Sequence, residues 1–113
     1  MWNPPTKKQL ELIPNLYSQD GIKDKKIYMK LFSPSMTWYV VEINHKGTST
    51  GYPPYTLMFT YKVDERTGKG NWEYQSLLEL KNMKIGFVQV DREIHGITPR
   101  SPKRFSEIRE LNN

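Results

Sequence analysis

No cysteine occurs in the 113 residues. Disulfides, thiolate metal sites and thiol nucleophiles are excluded together, and the chain suits a reducing compartment. Long hydrophobic runs are missing too. The longest, Trp38-Tyr39-Val40-Val41, is far short of the roughly 20 residues that span a bilayer as a helix. The opening residues, MWNPPTKK, lack the apolar stretch of a secretory leader. Histidine is scarce: His45 and His95 are the only two, and both sit in loop-like sequence. Neither has the spacing of a helical metal-binding pair, so a zinc site would need distant carboxylates to converge. A phosphate loop is also lacking, because Gly68-Lys69-Gly70 has the wrong glycine spacing and lies between two strand-like runs. These absences point to a cytoplasmic, non-enzymatic protein with no metal and no cofactor.

Aromatic residues are plentiful by contrast: 4 Phe, 7 Tyr and 3 Trp. Disordered chains are poor in them, so the length reads as one folded domain, 1–113, with loose ends at 1–5 and 112–113. The formal charge of +5 falls in the range that simply keeps a small domain soluble, and a basic balance favours nucleic acid or an acidic protein surface as partner.

Local patterns give the elements. Thr6 caps a short helix carrying Leu10 and Ile13, which Pro14 ends. Lys26 to Phe32 and Met36 to Asn44 are β-rich runs split by Ser-Pro-Ser, a hairpin pattern. In the second run, Tyr39, Val41 and Ile43 form the expected core face, with Trp38, Val40 and Glu42 on the other. Tyr55, Leu57, Phe59, Tyr61 and Val63 alternate with Thr56, Met58, Thr60 and Lys62, which predicts a strand with one face inward. A turn then leads to a partner strand bearing Trp72 and Tyr74. Ser76 with Glu79 is a capping box for a helix with Leu77, Leu78 and Leu80. Lys84 to Ile94 reads as a last strand. Ser101 and Pro102 open an expected C-terminal helix with Phe105, Ile108 and Leu111. The fold class is therefore α+β: an antiparallel sheet of four to five strands, with short helices at the N-terminus, before the last strand and at the C-terminus.

Several of these landmarks occur in a recognisable order. They are Ile13, Pro14, Leu16 and Tyr17; then Lys30, Leu31, Phe32 and Pro34; then Trp38, Tyr39 and Glu42. Tyr74, Ser76, Leu77, Glu79 and Leu80 follow, and Asp91, Arg92 and Glu93 close the series. In this the chain resembles the small bacterial family catalogued as domain of unknown function 2958. The glycine usual in that family's third strand is replaced here by Leu57-Met58-Phe59. The resemblance implies an accessory protein of a plasmid, conjugative element or phage, and it supplies no reaction.

Three functional readings follow. The first is binding to a host protein or ribonucleoprotein as a counter-defence factor, against CRISPR or restriction for example, with the proline-bracketed loop GTSTGYPPY as a contact. The second is nucleic-acid binding. Lys23, Lys25 and Lys26 cluster in one loop, and Arg100, Lys103, Arg104 and Arg109 gather near the C-terminus. Tyr52 and Tyr55 are candidates for stacking on unpaired bases. The third is acid–base chemistry at Glu42, Asp91 and Glu93. Set against this last reading is an ion-pair network in which Arg92 bridges Glu42, Asp91 and Glu93, since an arginine fork holds carboxylates at fixed geometry.

Overall fold

Two capping boxes start the two helices. Thr6 accepts from the Gln9 N–H while the Gln9 side chain accepts from the Thr6 N–H, which opens α1, Lys7–Glu11. The computed structural model describes residues 5–46, 52, 56–85, 88–108 and 111. The expected loose ends fall almost wholly outside them. After α1 come β1 (Lys26–Ile27), β2 (Met29–Phe32), β3 (Met36–Ile43), β4 (Leu57–Asp64) and β5 (Lys69–Ser76). Ser76 and Glu79 form the second capping box, at the start of α2, Leu77–Asn82. The remaining elements are β6 (Lys84–Ile85), β7 (Val88–Gln89), β8 (Asp91–Arg92), β9 (Lys103–Arg104) and a single 3-10 turn, Phe105–Glu107. No helix among the described residues is long and apolar enough to cross a membrane.

The fold is α+β. Five strands form an antiparallel sheet in the order β5-β4-β3-β2-β8, and β1 pairs with β9 beside it. Two expectations change. The run from Lys26 to Phe32 is not one strand: Tyr28 donates its N–H to Val40 O, while Lys26 and Ile27 turn away to pair with Arg104 and Lys103. Among the described residues the C-terminal helix is replaced by β9, the 3-10 turn at Phe105–Glu107 and a further i→i+3 bond from the Leu111 N–H to Ile108 O. There Glu107 accepts from the Arg104 N–H, and Lys25 O takes the Phe105 N–H. The long-range pairing with β1 wins over a local helix. The single last strand is likewise divided, into the β6–β7 hairpin and β8.

Both helices cover one face of the sheet. Leu10, Ile13, Leu77 and Leu80 pack there on Met29, Leu31, Trp38, Val40, Ile43 and Met58. The other face carries Tyr39, Val41 and Val63 under Ile27, Ile97 and Ile108. A β-bulge between Val40 and Glu42 sets the division. It inserts Val41 as an unpaired extra residue and shifts the alternation by one. Ile43, opposite Met58, therefore joins Trp38 and Val40, and Glu42, opposite Phe59, moves to the second face. The expected grouping of Tyr39 with Ile43, and of Trp38 with Glu42, is reversed for this reason.

Candidate functional site

Glu42 is 1% exposed, yet it is fully provided for. Its Oε1 accepts from the Tyr17 N–H at 2.9 Å and its Oε2 from the Gln19 N–H at 2.6 Å. Tyr17 has a φ of 71°, a left-handed conformation rare for a bulky residue. That conformation turns the Tyr17 and Gln19 amides toward one carboxylate, while the Ser18 N–H between them goes to Asn15 O. Gln19 extends the arrangement. Its Nε2 donates to Val41 O, the carbonyl of the bulged residue, and to Lys26 O; its Oε1 accepts from the Lys26 N–H. A buried carboxylate thus anchors loop 15–22, and the loop anchors β1.

The expected Glu42–Arg92 pair is not formed. Arg92 stands opposite Leu31, which stands opposite Trp38, so Arg92 belongs to the helix-covered face. Glu42 points from the other. The guanidinium is buried, and desolvation holds its pKa below the ordinary arginine value, against the pull of Asp91. Glu93 pairs instead with Lys30, at 3.9 Å, and accepts from the Ile97 N–H. Nor do the carboxylates converge for catalysis. Glu42 lies three residues along β3 from Tyr39, the partner of Lys30, a distance of about 10 Å by strand rise. Among the described residues no group of three metal-capable side chains occurs.

The open surface lies elsewhere. Residues Ile97, Phe105, Ile108 and Leu111 pack over the second face, while β5 remains the sheet's outer strand. Hence the aromatic side of the β4–β5 hairpin is the more exposed one, and the Met58–Thr60 side is the inward one. The rings form a continuous strip. Tyr74 lies 4.9 Å from Phe59, Phe59 stacks on Trp72 at 5.4 Å, and Trp72 meets Tyr61 at 5.0 Å and Phe105 at 5.8 Å. Trp72 is 37% exposed and Tyr74 47%. Tyr17, 62% exposed, adds a sixth ring beside Tyr74. Desolvation first, then the neighbouring Tyr17 hydroxyl and the charges of Asp20 and Glu42, push the Tyr74 phenol above its usual pKa.

Basic side chains border the strip. Lys25 Nζ sits 5.9 Å from the Trp72 ring centroid, held by the carbonyls of Gln19 and Ile22. Lys26 stands directly opposite Arg104 in the β1–β9 pair. The Arg104 guanidinium donates to Asp24 O, and the Asp24 carboxylate accepts from the Ser106 hydroxyl and N–H. Those two bonds, aided by Arg104, hold Asp24 below the usual carboxyl range.

Of the residues the sequence singled out, Lys25, Lys26 and Arg104 come together, Lys103 stands opposite Ile27 and lines a hollow with Lys30, Glu93 and Glu107, and Lys23 is exposed in the adjoining loop. Arg100 lies apart, beside Lys8 and Glu11. Tyr52 is not an exposed stacker: it is half-buried on the first core, with its hydroxyl on His45 Nδ1. His45 Nε2 faces Ile13 O, which only accepts, so Nε2 carries the proton. Tyr55, Arg109 and all of GTSTGYPPY except Tyr52 lie outside the described residues. Sequence reasoning missed Tyr17, Phe59, Tyr61, Trp72, Tyr74 and Phe105 as site residues. The period-two pattern displayed most of them on shared faces but did not say that this side stays open.

Comparison with protein-family models, with curated proteins and with solved structures finds no match to this chain.

Proposed function

We propose that the protein is a non-enzymatic nucleic-acid-binding module, with the aromatic strip and its basic border as the contact surface. The observation that carries the reading is the Lys26–Arg104 pair. Like charges directly opposite one another across two strands cost free energy. Lys26 makes no ion pair among the described residues, and both side chains are exposed. A polyanion removes that repulsion and releases counterions on binding. In the mobile-element setting that the family resemblance implies, the target is a host nucleic acid or ribonucleoprotein, and the role is counter-defence.

The reading is tested by a salt-titrated mobility shift with RNA and DNA. Lys26→Glu with Arg104→Glu should weaken binding of every sequence alike and flatten the salt dependence. Two lost phosphate contacts reduce the log–log slope by about 1.4 on single strands. An absence of any shift at low salt removes the nucleic-acid reading.

A further inference from the structure

Resting on that reading, we infer that the ligand is single-stranded, with unpaired bases stacked on Tyr74 and Trp72 and phosphates toward Lys25, Lys26 and Arg104. The spacing of the two rings carries the inference. Trp72 and Tyr74 are two residues apart on one strand and share a face. Strand geometry sets their Cα atoms about 6.8 Å apart. Bases in a duplex rise only about 3.4 Å per step, and their faces are covered by one another. A duplex can offer neither the spacing nor the free π-surface; an extended single strand offers both.

The edge of β5 adds a second recognition element. Leu77 donates its N–H to Thr56 O, and the register continues without a shift from Leu57↔Ser76 to Asp64↔Lys69. Alternation then assigns Gln75, Glu73 and Asn71 to the ladder with β4. The main-chain N–H and C=O groups of Gly70, Trp72 and Tyr74 point to the open edge, where β5 has no further partner among the described residues. A base stacked on either ring lies beside unpaired main-chain donors and acceptors. Charge completes the fit. Lys25 is held over Trp72 by two carbonyls, and the Lys26–Arg104 pair lies on the strand that leads into Phe105 of the same strip.

Fluorescence anisotropy separates the outcomes, with labelled U10 and dT10, an abasic decamer of equal phosphate count, a hairpin duplex and polyglutamate as probes. U10 and dT10 should bind at least roughly ten-fold tighter than the abasic decamer, because stacking contributes per base. Tyr74→Thr, an exposed edge position given a good strand former, should fall to the abasic level. Tyr74→Phe, which keeps the ring and loses only the hydroxyl, should bind as tightly as wild type. If wild-type protein binds the abasic decamer or the duplex as tightly as U10, the stacking inference is overturned while nucleic-acid binding stands. Equal binding of polyglutamate would overturn it in favour of an acidic protein partner. If no oligonucleotide binds at low salt, both the inference and the reading beneath it fail.

Discussion

Glu42→Gln separates a structural carboxylate from a catalytic one. An ionised carboxylate only accepts, and both oxygens of Glu42 receive main-chain N–H groups, at 2.9 and 2.6 Å. Glutamine keeps one accepting oxygen. Its NH2 must then face the other N–H, donor against donor, in a site that is 1% exposed. One charge-assisted bond is lost, the other becomes neutral, and one amide is orphaned. Hydrogen bonds to charged groups contribute about 1.5–3 kcal/mol each. Relief from burying a charge offsets part of the loss. A net destabilisation of about 2–3 kcal/mol follows, or a fall in Tm of roughly 10 °C for a chain near 100 residues. Urea denaturation followed by circular dichroism measures it, and hydrogen exchange locates it at the amides of Tyr17 and Gln19. Stability within about 0.5 kcal/mol of wild type, the range of an ordinary surface change, would refute the argument. A catalytic acid predicts the opposite pattern, with activity lost and stability kept.

Two further outcomes are expected. A methyl group on Gly70 would come 2.6 Å from the Tyr61 ring, which is wedged between Trp72 and Phe105 and has little room to yield. Gly70→Ala should therefore cost about 1–3 kcal/mol as overpacking and alter the near-ultraviolet circular dichroism; an unchanged spectrum and stability would mean that the strip is loosely packed. The second concerns acid. Asp24 is depressed in the folded state by Ser106, so its contribution is complete above the ordinary value of 3.8 and is lost as the pH falls through the lower folded value. Below 3.8 the Ser106 amide resonance should shift and the β1–β9 pair should loosen; a Ser106→Ala variant with the same acid response would show that Asp24 is not the group responsible.

Much of the fold was legible because its signals are local. Thr6 with Gln9 and Ser76 with Glu79 start helices through bonds spanning three residues. The β4–β5 hairpin announces itself by alternation and a turn. The bulge at Val41 has no such signal. It lies in an unbroken apolar run, and only the pairing with β4 reveals the extra residue. That one residue decides which face Glu42 occupies, so the sequence-level pairing with Arg92 went astray. The C-terminal segment misled for a related reason. Phe105, Ile108 and Leu111 recur every three positions, as in a helix, but the Phe105 N–H goes to Lys25, eighty residues away. Where that segment lands also decides how much of the aromatic face stays open, which no local pattern encodes.

The buried carboxylate and the candidate surface are parts of one construction. Glu42 fixes the amides of Tyr17 and Gln19; Gln19 fixes both main-chain groups of Lys26; Lys26 pairs with Arg104, which leads into Phe105 of the strip. Tyr17, held in its left-handed turn by the same carboxylate, reaches Tyr74 at the strip's other end. A left-handed tyrosine costs about 1–3 kcal/mol, and a like-charge cross-strand pair costs more besides. The same β1–β9 pairing also seats Ile27 in the second core. Two unfavourable local choices, tied to one buried anion, thus fall at opposite ends of the same exposed aromatic row, and this placement supports the proposed binding surface.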